Sequence, residues 1–306
     1  MRIHFDNVNF SSRSGPNTFA SRLATVLTER GHEIVNYNED HDVVLVFIEP
    51  TRRWDDTKRI VQRLDGIWFK PSQFETHNRL IRWAYDNCDD VVWQSNFDRD
   101  MIKHHWGDRS GVVIRNGIDA EKVKLTNRRL KDIRTNASKV FVCSANWHRQ
   151  KRLKENIEAY DILRKGDKNA CLVVMGSNPD HVVRRPDIFY TNNLRHALCL
   201  EVFAMSDCMI HLAWLDHCPN VVVEALSQDC PVICSESGGT KELIGTGGFI
   251  VPELTKYSYE LADYDDPYPL DLSCLKEVNI QDLNVCKDHI DLQKTADQYE
   301  KILANL

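Results

Sequence analysis

A polar stretch between two apolar runs carries the residue types best suited to chemistry. In the segment 211–244, Asp216 precedes a predicted helix that begins at Pro219 and Asn220, and Glu224 follows on the first turns of that helix. Proline is favoured just inside a helix start because its missing N–H would have no partner there. The amides of the first turn can hold a sugar hydroxyl or a diphosphate oxygen. A carboxylate at the same end can accept hydrogen bonds from ribose hydroxyls. These features together predict a nucleotide-sugar site.

A basic loop provides the second candidate. Arg149 and Lys151 lie between a predicted strand at 139–144 and a predicted helix at 153–164. Fixed Arg and Lys side chains can stabilise the negative charge that develops on a departing diphosphate, without a metal ion. The alternative is a solvated basic loop, which is the common fate of such a run.

Three weaker candidates follow from local pattern. Asn193 lies between a predicted strand and a predicted helix, where the frequent role of asparagine is to cap the helix. Gly15 precedes a helix, and its missing side chain permits a close approach of ligand to backbone. Asp65 precedes Gly66. It is either a turn residue or a carboxylate that positions an acceptor hydroxyl or accepts its proton.

Alternating strands and helices must position these residues. Nearly all-apolar strands that alternate with helices are typical of parallel sheets covered on both faces. The pattern restarts after the basic stretch 120–139, which places the domain boundary within 115–122. The strands are predicted at 3–8, 33–37, 42–48, 59–64, 90–95 and 111–114, and then at 139–144, 170–176, 187–191, 208–213 and 230–235. The helices are predicted at 18–31, 73–87, 97–105, 153–164, 195–205, 219–228 and 287–304.

Length and charge restrict the class of protein. The 306 residues, 42% of them hydrophobic, suffice for two domains with real cores. A formal charge of −6 argues against a nucleic-acid partner. The strand-like N-terminus and the absence of an apolar run near ~20 residues predict a cytoplasmic protein. The aromatic and basic segment 52–83 leaves peripheral membrane association open, with core packing as the alternative.

The cysteines and histidines predict no metal site and no cofactor. The ten cysteines fall mostly in apolar runs, which is typical of buried thiols in a reducing compartment. The chain has no CxxC pair and no HExxH spacing. The acidic pair Asp263 and Asp265 lies in a proline-containing polar stretch that reads as a solvated loop.

The segment 211–244 resembles the donor-site signature of family 4 glycosyltransferases. That signature is an acidic residue, seven spacers and a glutamate, followed by a strand and a Gly-Gly turn. Asp216, Glu224, the strand beginning at Pro231 and the pair Gly238-Gly239 occupy the matching positions. Asp216 stands where the family usually has glutamate, so the charge is kept and the side chain is shorter.

The resemblance implies a GT-B fold, an α/β architecture of two Rossmann-like domains that face each other across a cleft. An N-terminal acceptor-binding domain at 1–117 would include the C-terminal helix, about 288–306, which crosses back onto it. A donor-binding domain would occupy 118–287. The implied activity is a retaining transfer of sugar from a nucleotide-sugar donor, a UDP- or GDP-sugar, to a hydroxyl of a glycan, a lipid or another acceptor. The resemblance also implies that no metal is needed, as is general for enzymes of this fold.

The resemblance also implies roles for individual residues. Lys151 and Arg149 would stabilise the leaving diphosphate, and Glu224 would hold the ribose. Asp216 would hold the donor sugar, together with the helix start whose members are Pro219, Asn220 and Val221. Asn193 would lie where the family reads the nucleotide base, Gly15 would approach the diphosphate and acceptor, and Asp65 would lie near the reacting carbon.

Two other functions are compatible with the same architecture. A nucleotide-sugar epimerase would need acid and base residues around the sugar and no acceptor pocket. A non-catalytic sugar-nucleotide-binding module would keep the fold without transfer. Isomerised sugar nucleotide would identify the first, and donor hydrolysis or transfer above background would exclude the second.

Overall fold

The apolar runs of the sequence form two parallel β-sheets. The structure is a computed structural model that describes residues 1–12, 14–54, 57–119 and 121–305. The chain divides into two compact units. Unit 1 comprises Met1–Asp119, Tyr259–Ala262 and His289–Leu306, and unit 2 comprises Ala120–Ser258 and Asp263–Asp288.

Unit 1 contains a six-stranded parallel sheet with strand order β2-β1-β3-β4-β5-β6. Its strands are β1 (Arg2–Asp6), β2 (Glu33–Val35), β3 (Val43–Phe47), β4 (Arg59–Leu64), β5 (Asp90–Trp93) and β6 (Gly111–Val113). Its first helices are α1 (Gly15–Glu29), α2 (Phe74–His77), α3 (Arg79–Asn87) and α4 (Asn96–Trp106). The inner strands β1, β3, β4 and β5 are largely buried, as expected for a parallel sheet covered on both faces, whereas the edge strands β2 and β6 are partly exposed.

Unit 2 contains a second six-stranded parallel sheet, with order β12-β11-β10-β7-β8-β9. Its strands are β7 (Val140–Ser144), β8 (Cys171–Met175), β9 (Ile188–Asn192), β10 (Cys208–His211), β11 (Val232–Ser235) and β12 (Phe249–Val251). Its helices are α5 (Arg128–Asn136), α6 (Leu153–Leu163), α7 (His196–Met205), α8 (Asn220–Ser227) and α9 (Thr240–Ile244). The strand order reverses between β7 and β10, and in such sheets ligands bind beyond the strand ends at that point.

The last helix, α10 (Leu292–Ala304), belongs to unit 1. Its residues Ala296 and Tyr299 are buried in one core cluster with residues of α1 and of the first sheet. Gly117 lies against the start of this helix, since a Cβ on Gly117 would meet the Cα of Leu292 at 2.7 Å. The C-terminal helix therefore completes the core of unit 1.

Several element bounds differ from the sequence prediction. The helix expected at 73–87 is divided at Asn78, whose buried side chain bonds the backbone N–H and carbonyl of Trp68. The final helix begins at Leu292 instead of 287, because the Asp291 carboxylate caps it by accepting from the amides of Gln293 and Lys294. The short elements α5, α9 and β12 were not predicted. The β12 run has only three residues, too few for a periodic signal.

In the described ranges, the cysteines are unpaired, and the helices are short. In the part of the chain that the structure describes, all ten cysteines are free, and seven of them are buried. Among those same residues, none of the helices has both the length and the apolar character required to cross a bilayer. In the aromatic segment, Phe69 is buried and Trp68 is 42% exposed.

Candidate active site

The carboxylate Asp216 lies in the loop after β10, at the reversal point of the second sheet. The preceding residue, Leu215, adopts the left-handed conformation with φ of +55°, which is uncommon for a branched residue. The Asp216 carbonyl accepts from the amide of Gly239 at 2.8 Å, and a Cβ on Gly238 would lie 2.7 Å from that carbonyl. The Gly-Gly turn is therefore needed to hold the Asp216 loop in place.

Two cationic or polar groups converge on one oxygen of this carboxylate. Lys151 Nζ lies 2.6 Å from Asp216 Oδ2, and His211 Nε2 donates to the same oxygen at 3.2 Å. Burial alone would raise the pKa of Asp216. The Lys151 ammonium and the His211 hydrogen bond outweigh burial and hold this pKa well below its usual range. Asp216 is therefore an anchored anion.

The accessible members of this cluster are the lysine and the aspartate. The side chains of Lys151 and Asp216 are 19% and 18% exposed, whereas His211 at the end of β10 is buried. Lys151 reaches Asp216 because it ends the 3-10 turn Arg149–Lys151, which follows β7, the strand beside β10. The two strands at the reversal point thus bring a cation and an anion to one surface.

Arg149 lies in the same turn and has a different partner. Its Nη1 pairs with Glu155 of α6 at 2.7 Å, and its side chain is 44% exposed. The structure therefore places Lys151 with Asp216 and leaves Arg149 on a separate ion pair. Sequence spacing alone gave both cations the same role, and only Lys151 meets the carboxylate.

Glu224 lies on α8, behind the helix start. It is buried, and its Oε1 lies 3.2 Å from His196 Nε2 at the beginning of α7. Pro219 is the residue before the helix instead of the first residue within it, and its carbonyl accepts from the amides of Val222 and Val223. The helix consequently begins with Asn220 and Val221, as predicted within one residue.

Asn193 does not cap α7. It is an exposed residue in the bend after β9, and the residue that precedes the helix is Arg195, with no side-chain cap. The capping alternative for Asn193 is wrong because two residues, instead of none, separate it from the helix. Asn193 directly follows β9, which is an edge strand, so it does not lie beside β7 and β10, the strands at the reversal point.

Gly15 and Asp65 lie in unit 1. Gly15 is the exposed first residue of α1. Asp65 follows β4 and forms an ion pair with Nη1 of Arg63, whose side chain is fully buried. Arg63 Nη2 also donates to Asn116 Oδ1 at 2.8 Å, and its guanidinium lies over the ring of Phe19. Asp65 is thus held by a buried cation.

Sequence reasoning missed the partners of these residues. His211 was read only as part of an apolar strand, and Arg63 only as part of the strand 59–64. A charged or polar residue inside an otherwise apolar strand was the available signal, because such groups are rarely buried without a partner. Among the described residues, no three His, Cys, Asp or Glu side chains form a group that could hold a metal ion.

Comparisons with known proteins give a family match for part of the chain and the name of the fold. Residues 138–263, which include Lys151, Asp216 and Glu224, match the family model Glycosyl transferases group 1. No curated protein sequence matches the chain. Solved structures do match over the whole chain. The fold is GT-B.

Three of these GT-B structures show the extent of the likeness. HepE of Anabaena, crystallised with UDP-glucose, is 16% identical, with a TM-score of 0.69 and coverage of 100% of each chain. Sucrose-phosphate synthase of Thermosynechococcus elongatus is 11% identical, with a TM-score of 0.72 and coverage of 100% of this chain and 98% of that one. WaaG, a glycosyltransferase of lipopolysaccharide biosynthesis, is 13% identical, with a TM-score of 0.68 and full coverage of both. At these identities the matches show the fold.

Proposed function

We propose that this chain is a glycosyltransferase that moves a sugar from a nucleotide-sugar donor to an acceptor hydroxyl, with retention at the anomeric carbon. The observation that carries the proposal is the Lys151–Asp216 pair at the reversal point of the second sheet. An accessible cation suits the diphosphate, and the adjacent carboxylate suits the sugar hydroxyls. The resemblance to family 4 adds the retaining stereochemistry.

Unit 2 binds the donor in this proposal. Glu224 accepts hydrogen bonds from the ribose, and the amides at Asn220 and Val221 hold the sugar or the diphosphate. Asp216 accepts from a sugar hydroxyl, since an anchored anion does so without reorganising. UDP-sugars are the first candidates, because HepE was crystallised with UDP-glucose. GDP-sugars are the second.

The reaction breaks the bond between the anomeric carbon and the diphosphate oxygen. The nucleoside diphosphate leaves with the bonding electrons, and Lys151 stabilises its added negative charge. Arg149 would have to leave Glu155 to help, so Lys151 is the main group. The acceptor oxygen, from a glycan or a lipid-linked sugar, bonds to the anomeric carbon. Asp65 of unit 1 holds the acceptor hydroxyl, whose proton passes to the departing phosphate oxygen or to Asp65. No metal is required.

A thermal-shift panel of UDP-, GDP-, TDP- and ADP-sugars tests donor binding. A ligand that binds only the folded state raises Tm, by an amount that grows with concentration over Kd. We expect one donor class to raise Tm in the wild type and in Glu158→Ala, a surface control on α6. Glu224→Ala should fold normally and lose the shift. Wild-type affinity in Glu224→Ala, or no shift with any donor in the wild type, would overturn the proposal.

A product assay separates transfer from its alternatives. With the donor that binds, we expect release of nucleoside diphosphate that increases with added glycan or lipid-linked acceptor. Isomerised sugar nucleotide without nucleoside diphosphate would indicate an epimerase. Binding with neither product would indicate a non-catalytic module.

A further inference from the structure

A buried ion pair lies directly behind the Lys151–Asp216 cluster of unit 2. Arg152 Nη1 lies 3.0 Å from Glu253 Oε1, and the two side chains are 1% and 0% exposed. Burial lowers the pKa of Arg152 and raises the pKa of Glu253, and each charge opposes the effect on the other. A buried ion pair is weak evidence for stability, because desolvation can cost more than the attraction returns.

Arg152 connects the lysine turn to two other segments. It adopts the left-handed conformation with φ of +54°, immediately after Lys151 and before the first residue of α6. Its Nη1 donates to the carbonyl of Leu212 at 3.1 Å, just beyond β10, and its Nη2 donates to the carbonyl of Tyr268. Arg152 therefore connects the turn that orients the Lys151 side chain to the end of β10.

Glu253 connects the same pair to the loop of Asp216. Its second carboxylate oxygen accepts from the hydroxyl of Ser237. The Ser237 carbonyl in turn accepts from the amide of Leu215 at 3.2 Å, one residue before Asp216. Arg152 is the residue next to Lys151, and the Arg152–Glu253 pair bonds to Leu212 and Ser237, which flank or hold the loop that carries Asp216.

We propose that Arg152 and Glu253 are positioning residues, which hold Lys151 and Asp216 in the arrangement that binds and activates the donor. The proposal rests on the proposed function for its effect on turnover. The claim that the pair holds the backbone of the Lys151 turn and of the Asp216 loop does not depend on that function. Neither residue contacts the donor in this proposal. A shift of about 1 Å in a catalytic group can cost ~10²-fold in rate.

Glu253→Gln is the first test, because it keeps the shape and removes the charge. We expect hydrogen exchange to increase about tenfold or more in the segments 212–218 and 236–240, whose amides hold the Asp216 loop. We expect kcat with UDP-glucose, or with whichever donor the thermal-shift panel selects, to fall ~10²-fold, with a smaller rise in KM. Glu253→Asp should recover part of kcat.

Asp207→Asn is the matched control in the same sheet. Asp207 pairs with Arg134 at 2.8 Å and accepts from the amide of Val140 at 2.7 Å, at the amino ends of β10 and β7. We expect this control to lower Tm and to leave exchange in 212–218 and 236–240, and kcat, unchanged. If Asp207→Asn had the same Tm as Glu253→Gln and lost kcat equally, the Arg152–Glu253 pair would only stabilise the fold in general. That result would overturn the inference.

The double variant Arg152→Met/Glu253→Leu covers the case in which Glu253→Gln does not fold. Replacing a buried ion pair by apolar residues is often neutral for stability, so we expect Tm near that of the wild type with faster exchange and low kcat. Wild-type exchange and wild-type kcat in a folded double variant would overturn the inference. If exchange changes as expected but the wild type binds and converts no nucleotide sugar, the proposed function fails and the positioning role stands.

Discussion

Both units place a cation and a carboxylate at the carboxyl edge of a parallel sheet, and the two pairs differ in which charge is accessible. In unit 1 the cation, Arg63, is fully buried, and Asp65 is the member that reaches the surface. In unit 2 Lys151 and Asp216 are exposed to nearly the same extent, and a buried histidine lies beneath them. The same chemical pairing therefore presents a carboxylate in one unit and an ion pair in the other.

Because of this difference, the two pairs suit ligands of different charge. A nucleotide sugar carries a negatively charged diphosphate, which needs an accessible cation. Only the unit 2 pair offers one. A carboxylate backed by a buried guanidinium suits a neutral hydroxyl, because the hydroxyl donates to it. We therefore expect changes in unit 2 to alter donor binding and turnover, and changes in unit 1 to alter stability and acceptor use.

The largest effect should come from Arg63→Met. The variant loses the charged hydrogen bonds of a fully buried guanidinium to Asp65 and Asn116, and each such bond typically contributes ~1.5–3 kcal/mol. We expect a loss of this size in the free energy of unfolding, measured with urea, together with unchanged donor affinity by calorimetry in the folded variant. A large loss of donor affinity would contradict the assignment of the donor to unit 2.

Lys151→Met should have the next largest effect, on turnover. Loss of one group that stabilises charge in the transition state typically costs ~10²–10³-fold in kcat. We expect a decrease of that order in release of nucleoside diphosphate. Lys154→Met, which removes a lysine on the exposed face of α6, is the control and should turn over at the wild-type rate. Equal rates in the two variants would remove Lys151 from the reaction.

The anchoring of Asp216 predicts a pH-dependent stability. Its pKa is depressed in the folded state, so ionised Asp216 contributes stability above its unfolded pKa of ~3.9, and this is lost as pH falls towards the folded pKa. Asp216→Asn should therefore be less stable than the wild type by ~1.5–3 kcal/mol at pH 5–7, since the lost bonds involve charged groups. Urea unfolding at pH 7, 5, 4 and 3 should show this difference shrinking only below about pH 4. A difference that shrinks between pH 7 and 5 would contradict the anchored anion.

Asp65→Asn should have the smallest effect of the four. The amide keeps the shape but accepts a hydrogen bond less strongly than a carboxylate, so we expect about a tenfold lower kcat/KM for the acceptor. Donor affinity should not change. A loss of donor affinity without any change in acceptor kinetics would show that Asp65 contacts the donor instead of the acceptor, and would contradict its proposed role.

The sequence alone was sufficient for the architecture and for the residues that share a local segment. The strands at 43–47 and 140–144 were predicted because runs of apolar residues have few alternatives to a buried parallel strand. Asp216 and Glu224 could be proposed together from the sequence because they lie within one turn-and-helix segment. Their spacing along the chain sets their spacing in space.

The partners of these residues were decided by tertiary structure. Lys151 meets Asp216 because β7 and β10 are neighbours in the sheet, although 65 positions separate the two residues along the chain. The pairing of Arg63 with Asn116 and of Arg152 with Glu253 likewise joins distant segments. Strand order brings such residues together, and strand order depends on how whole helices and sheets pack. No local pattern of residue types records it.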